Sequence, residues 1–178
     1  MTHPELTRAD LRCLAEALAE ARRGLAEGGI PIGSVLAVGG RILGRGHNRR
    51  VQEGNPILHG EMAALQDAGR QPARAYRRAT LYTTLSPCDM CTGAILLYRI
   101  PRVVIAERRT FRGPEALLRR RGVQVVVADL PEAVALLREF VAAHPGLWCE
   151  DIGETAAARR KGRRARATVA TRRRPVRS

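Results

Sequence analysis

The sequence has few aromatic residues, few cysteines and no long apolar run, and each shortage excludes a class of protein. Aromatic side chains make up 3% of the 178 residues, so platforms on which nucleic-acid bases could stack are scarce. The four cysteines, in a chain of this length without a secretion signal, do not form a disulfide framework. The N-terminus mixes charged with apolar residues, and no segment approaches membrane-spanning length. We therefore expect a soluble, cytoplasmic protein with no membrane partner.

Acidic residues are absent from the C-terminal end of the chain. Ten basic residues and no acids lie between Thr155 and Ser178, so a formal net charge of +14 leaves only +4 for residues 1–154. A domain of that charge needs no polyanionic partner. We predict one domain over residues 1–154 and a disordered Arg-rich tail over residues 155–178, because the tail has no apolar periodicity. We expect no nucleic-acid partner beyond non-specific contact through this tail.

The apolar pattern predicts alternating strands and helices. Thr7 and Asp10 form a capping-box pattern before a run of helical periodicity that ends at Gly28, and two apolar runs around Gly39 and Gly40 predict a hairpin. A polar, turn-rich stretch over residues 47–56 follows. Strands joined by helices should be largely parallel, so the pattern indicates an α/β fold, a three-layer α/β/α sandwich with the sheet in the middle. The remaining predicted elements are helices over 57–68, 88–98, 114–121 and 131–144 and strands over 80–84, 103–106 and 123–128.

Two short motifs together supply the ligands of a metal site. His59 stands before a predicted helix, and Cys88 and Cys91 lie three residues apart at the start of another, behind Pro87. Helix N-termini favour the thiolate form that metals require. One imidazole and two thiolates can hold zinc and leave a fourth position open for water, which is typical of catalytic zinc.

Glu61 lies two residues beyond His59, so on a helix it points away from the metal ligand. It is therefore placed to contact water beside the zinc and to pass a proton to a substrate nitrogen. This combination fits hydrolytic removal of an amine from an amidine-like carbon.

The longer segments around these motifs resemble the zinc-dependent cytidine deaminase superfamily, and within it the free-base cytosine deaminases of the fungal type. The matching stretches are GGIPIGSVL, LGRGHN, LHGE, ATLYTTLSPCDMCTGAI and EDIGE, which cover about residues 28–154. The resemblance implies a five-stranded mixed sheet of the cytidine deaminase-like fold, a homodimer and one zinc per subunit. It also implies conversion of cytosine and water to uracil and ammonia, a step of pyrimidine salvage.

The same resemblance implies roles for individual residues. His59, Cys88 and Cys91 would bind zinc, and Glu61 would carry protons. The residues that would contact the base are Asn48 and the backbone N–H of Gly60 at its carbonyl, the backbone carbonyl of Ser86 near the departing amine, Asp151 at the ring N–H, and Ile32, Phe111 and Trp148 as apolar walls. Without the resemblance, Asn48 is equally a turn residue, and Phe111 and Trp148 are ordinary packing residues.

Three other functions fit parts of the pattern. The tRNA adenosine deaminases share the two motifs, and an Arg-rich tail would suit an RNA substrate. Deaminases of other small cyclic amidines, such as creatinine or guanine, would use the same zinc chemistry. A zinc-stabilised module whose tail binds nucleic acid is a non-enzymatic alternative, although a structural zinc site has no need of Glu61.

Overall fold

A computed structural model describes residues 6–155 of the chain, in two compact units, the first ending at Phe140 and the second beginning at Val141. The predicted Arg-rich tail lies outside the described residues, apart from Thr155. Helices and strands alternate as the apolar pattern predicts. The strands are β1 (Gly33–Val38), β2 (Arg41–His47), β3 (Ala79–Leu85), β4 (Arg102–Glu107) and β5 (Gln124–Val127). The helices are α1 (Arg8–Ala26), α2 (Arg50–Glu53), α3 (Gly60–Ala68), α4 (Ala73–Tyr76), α5 (Asp89–Leu97), α6 (Glu115–Arg120), α7 (Pro131–Ala143) and α8 (Pro145–Asp151).

The five strands form one mixed sheet in the order β2-β1-β3-β4-β5. Strands β1 and β2 form the predicted antiparallel hairpin, and β1 also pairs antiparallel with β3. Strands β3, β4 and β5 are parallel, as their helical connections require. The predicted fold class is confirmed.

Two apolar clusters lie on opposite faces of this sheet. Alternate residues of a strand point to opposite faces, so Val35 packs with residues of α1 and α7, whereas Leu36 packs with residues of α3, α5 and α6. Both clusters contain fully buried side chains, among them Leu14 in the first and Ile95 in the second. The sheet is therefore the middle layer of the predicted sandwich.

Three short helices were not predicted from the sequence. Helix α2 interrupts the stretch that was interpreted as turns, and α4 stands before β3. Trp148 lies inside α8, which follows the last predicted helix, 131–144. These helices have only four to seven residues each, and helices of that length depend on tertiary packing rather than on a sequence pattern. Among the described residues, no helix is both long and apolar enough to span a membrane.

The start of α1 is joined to the sheet through the buried carboxylate of Asp10. Thr7 and Asp10 form the predicted capping box, and the Tyr82 hydroxyl donates to Asp10 Oδ1 over 2.9 Å. The Arg102 guanidinium donates to both carboxylate oxygens, over 2.6 and 3.0 Å. Burial alone would raise the pKa of Asp10, but the bonds from Arg102, Thr7 and Tyr82 hold it well below its usual range.

Replacing Arg102 with leucine should lower the free energy of unfolding by about 3 kcal/mol at neutral pH, because it leaves a buried carboxylate without its cation. The pKa of Asp10 is lower in the folded chain than in the unfolded chain, so its contribution is fully present above the unfolded value of about 4. It is lost as the pH falls further, through the folded value. Urea unfolding of Arg102→Leu and the parent chain should show a gap that narrows below about pH 4. A gap that widened there would contradict this assignment.

Candidate active site

Three metal-binding side chains converge at the N-termini of two helices. His59 is the N-cap of α3 and Cys88 is the N-cap of α5, with Cys91 in the first turn of α5. One donor atom from each residue lies within 4.8 Å of the other two, and Cys88 Sγ is 3.4 Å from His59 Nδ1. The structure therefore brings together the three predicted zinc ligands, which the chain separates by up to 32 positions.

The electrostatics of the two thiols suit a cation at this point. A hydrogen bond from Cys91, and one with the His59 imidazole, lower the pKa of Cys88 to about 4 against the opposing effect of burial. The hydrogen bond between Cys91 and Cys88, together with burial, raises the pKa of Cys91. The Cys91 thiol therefore keeps the proton that a metal ion would displace. One imidazole and two thiolates form a donor set that suits zinc and leaves a coordination position for water. The residues present therefore fit a zinc ion.

The carboxylate of Glu61 borders the thiols from inside the protein. Only 4% of Glu61 is exposed, and burial, together with the nearby charge of Cys88, raises its pKa to about 7. The Cys91 thiol lies 3.4 Å from Glu61 Oε2, and the Thr83 hydroxyl donates to Oε1 over 3.3 Å. A carboxyl group with a pKa near neutrality can both accept and release a proton at physiological pH.

Thr83 is a functional candidate that the sequence analysis missed. It is a buried hydroxyl residue of β3, which otherwise contributes mainly apolar side chains to the core. Its bond orients the Glu61 carboxylate, so Thr83 acts on the site through another residue. No sequence signal marked it, because the predicted strand over 80–84 contains three threonines.

Ile32, Asn48 and Gly60 lie close together at one side of this cluster. The Asn48 backbone N–H donates to the Ile32 carbonyl over 2.8 Å, and Asn48 is fully buried. A Cβ atom at Gly60 would lie 3.0 Å from the same carbonyl, a tight contact that would require the chain at Ile32 to move slightly. The side-chain carbonyl of Asn48 accepts from the backbone N–H of Arg50 over 3.1 Å.

Ser86 connects the zinc ligands to the loop between β4 and α6. Its hydroxyl accepts from the Gly113 backbone N–H and donates to Glu115 Oε1, each over 3.1 Å. The buried Glu115 carboxylate in turn pairs with Arg108 over 2.8 Å and Arg119 over 3.2 Å. This network holds the loop that carries the half-buried Phe111 against the segment before Cys88.

The predicted base-contacting residues Trp148 and Asp151 belong to the second compact unit. Both are buried residues of α8. Their proposed contacts with a substrate, like those of Asn48, Gly60, Ser86, Ile32 and Phe111, stay predictions.

The close contact of Gly113 with Pro87 allows a test of whether the loop between β4 and α6 positions the zinc ligand Cys88. A Cβ atom at Gly113 would overlap the Pro87 carbonyl, next to the ligand Cys88, whereas a Cβ atom at Gly93 would meet nothing within 4 Å. Gly113→Ala should lower kcat/KM on the order of a hundredfold, because it shifts a zinc-ligand segment. Gly93→Ala, in the exposed part of α5, should keep full activity and raise stability by about 0.5 to 1 kcal/mol. Equal activities of the two variants would contradict this role for the loop.

An α/β/α sandwich that presents one histidine, two cysteines and a buried glutamate at two helix N-termini has the fold and site of a zinc-dependent deaminase. The chain belongs to the cytidine and deoxycytidylate deaminase family, whose zinc-binding region matches residues 7–107.

Comparison with individual proteins narrows the relationship. The chain is 50% identical over 146 residues to the cytosine deaminase of Candida albicans, and the match covers 82% of this chain and 97% of that protein. It is 42% identical over 106 residues to a tRNA-specific adenosine deaminase of Streptococcus pyogenes, covering 58% of this chain and 67% of that protein. The solved structure of a guanine deaminase from Nitrosomonas europaea superimposes with a TM-score of 0.63 at 26% identity, covering 79% of this chain and 88% of that one. Of these three matches, the one to the cytosine deaminase has the highest identity and covers the largest share of the relative.

Proposed function

We propose that the chain catalyses the zinc-dependent conversion of free cytosine and water to uracil and ammonia. The main support for this chemistry is the position of the buried Glu61 carboxylate. Its Oε2 atom lies 3.4 Å from Cys91 Sγ, beside the converging donor atoms of His59 and Cys88. The choice of cytosine rests on the relative of 50% identity, which matches along 97% of its length.

His59, Cys88 and Cys91 would hold the zinc ion, which when bound would supply the nucleophile by lowering the pKa of water to roughly 7. Glu61 would take one proton of the attacking water on a carboxylate oxygen and deliver it to the ring nitrogen. It would then take the second proton of that water from the new hydroxyl group and deliver it to the departing amine. Thr83 holds Oε1 of that carboxylate, which leaves Oε2 to exchange the proton. Burial of Glu61 keeps bulk water away from this transfer.

The flat base would be oriented by polar groups at its edges. The Asn48 side chain and the Gly60 N–H would donate to the ring carbonyl, and the shared approach to Ile32 supports their acting together. The Ser86 carbonyl would face the departing amine, which its fixed place between Gly113 and Glu115 supports. The resemblance alone supports the remaining contacts, those of Phe111, Trp148 and Asp151.

A panel of substrates tests the choice of base. Ammonia release should be measured with the zinc-loaded full chain on cytosine, adenine, guanine, creatinine and a transfer RNA. We expect cytosine to exceed each of the others by at least about a thousandfold in kcat/KM, because polar groups left unpaired by a wrong base are costly. Faster release from guanine, creatinine or the transfer RNA would contradict the proposal.

The proposal includes a homodimer with one zinc per subunit, acting in the cytoplasm in pyrimidine salvage. The resemblance to the fungal-type enzymes supports these points. Sedimentation of the purified chain should give twice the mass of the 19.5 kDa chain. A monomer at micromolar concentration with full activity would contradict the dimer.

A further inference from the structure

Exposed arginines collect at one edge of the sheet, away from the zinc ligands. Strands β3, β4 and β5 are parallel, and Thr80, Arg102 and Gln124 stand opposite one another at their N-terminal ends. The chain enters these three strands through Arg78, Arg99 and Arg121, which we call the arginine edge. All three are exposed.

Two contacts hold the segments of the arginine edge side by side. The rings of Tyr76 and Tyr98 stack with centroids 4.6 Å apart, which joins the segment before β3 to the one before β4. Arg99 and Arg121 line one cavity of about 320 Å³, whose other lining residues are Leu96, Ile100, Pro101, Gly122 and Val123. Arg99 and Arg121 therefore share one stretch of surface, and the tyrosine stack places the segment that carries Arg78 beside it.

The guanidiniums of the arginine edge are not neutralised within residues 6–155. None of the three makes a hydrogen bond or an ion pair there through its side chain, whereas Arg22 pairs with Glu132 and Arg45 with Glu16. Arg102, the first residue of β4, is not part of the arginine edge, because its guanidinium pairs with Asp10. The arginine edge thus concentrates positive charge that the modest net charge of residues 1–154 conceals.

Backbone geometry sets Arg99 apart from an ordinary surface residue. It follows the C-cap of α5 with a φ of 55°, in the left-handed region where glycine is favoured. Local backbone preference therefore does not explain an arginine at this position. Tyr98, beside it, stacks on Tyr76 and still exposes 41% of its surface.

We propose that the arginine edge, with Tyr98 at its rim, binds single-stranded nucleic acid. Guanidiniums bind phosphate through paired hydrogen bonds, and an exposed aromatic ring can stack on an unpaired base of any identity. A base within a duplex offers no free face to such a ring, so the exposed Tyr98 favours a single strand. The zinc ligands Cys88 and Cys91 follow the C-terminal end of β3, at the opposite end of the strand, so this binding does not depend on the proposed deamination.

The test compares two triple variants of the full chain that remove equal charge. One carries Arg78→Gln, Arg99→Gln and Arg121→Gln, and the control carries Arg22→Gln, Arg45→Gln and Arg138→Gln, three exposed arginines on other elements. Binding of a fluorescent single-stranded RNA of about 15 nucleotides is followed by anisotropy over a salt series. The arginine-edge triple should raise Kd at least about tenfold near 0.1 M salt and reduce the slope of log K against log salt by roughly 2, and the control should change Kd less than about twofold. Both triples keep the C-terminal tail, so equal weakening by the two would overturn the proposal.

A second variant separates a single strand from a duplex. Tyr98→Leu should weaken binding of the single strand about fivefold or more without changing the salt slope, because stacking is uncharged. The melting temperature and the deaminase activity of each variant report whether it is folded. If Tyr98→Leu bound the strand as tightly as the parent, or a duplex of the same sequence bound better than the strand, the proposal would be overturned.

Discussion

Glu61→Gln should lower kcat for cytosine about a thousandfold while zinc stays bound at one ion per chain. Glutamine has nearly the shape of glutamate but cannot accept a proton, so the variant removes the proton carrier and leaves the space filled. His59, Cys88 and Cys91 are untouched and still supply the metal donors. The loss should therefore appear in turnover and not in metal content.

Zinc content by atomic emission and steady-state kinetics on the same preparation measure this effect. Thr83→Val provides a graded comparison, because it removes only the hydroxyl that holds Glu61 Oε1. We expect a loss of about tenfold for that variant, since a hydrogen bond to a carboxylate is worth about 1.5 kcal/mol. Activity of Glu61→Gln within tenfold of the parent would show that Glu61 is not the proton carrier.

Cys91→Ala should reduce bound zinc to less than about a tenth of an ion per chain after dialysis, and activity should fall with it. Removal of one thiolate leaves two protein ligands, too few for the tetrahedral site that holds zinc firmly. Cys91 is fully buried, so its loss also opens a small cavity.

Cys13→Ala is the control that distinguishes the effect of a cavity from the effect of losing a metal ligand. Cys13 is equally buried, but it lies in the apolar cluster between α1 and the sheet, and within residues 6–155 it belongs to no group of three metal-binding side chains. It should cost a similar amount of stability and retain full zinc and activity. Retention of one zinc by Cys91→Ala, or loss of zinc by Cys13→Ala, would contradict the assignment of ligands.

The zinc site could be predicted from the sequence because each half of it is local. His59 and Glu61 are two positions apart, and Cys88 and Cys91 are three apart behind a proline, so each motif fixes its own geometry at a helix start. Apolar periodicity likewise predicted all five strands and the longer helices. The expectation that the strands after the hairpin are largely parallel is confirmed for β3, β4 and β5, whereas the order of the strands, with β1 beside β3, was not predicted.

The groups that support the site could not be predicted, because their partners are distant in the chain. Ser86 bonds to Glu115, 29 positions away, and Thr83 bonds to Glu61, 22 positions away. No local pattern marks such pairs. The net charge of residues 1–154 does not show where individual charges lie. It reveals neither the pairing of Arg102 with Asp10 nor the unpaired arginines of the arginine edge.

The most direct test of the account is ammonia release from cytosine and from cytidine by the same zinc-loaded preparation. The two substrates present the same ring and amine, and only cytidine carries a ribose. A site built for the free base predicts turnover of cytosine and, for cytidine, a kcat/KM at least about a thousandfold lower. Equal or faster release from cytidine would contradict the claim that this zinc site acts on the free base.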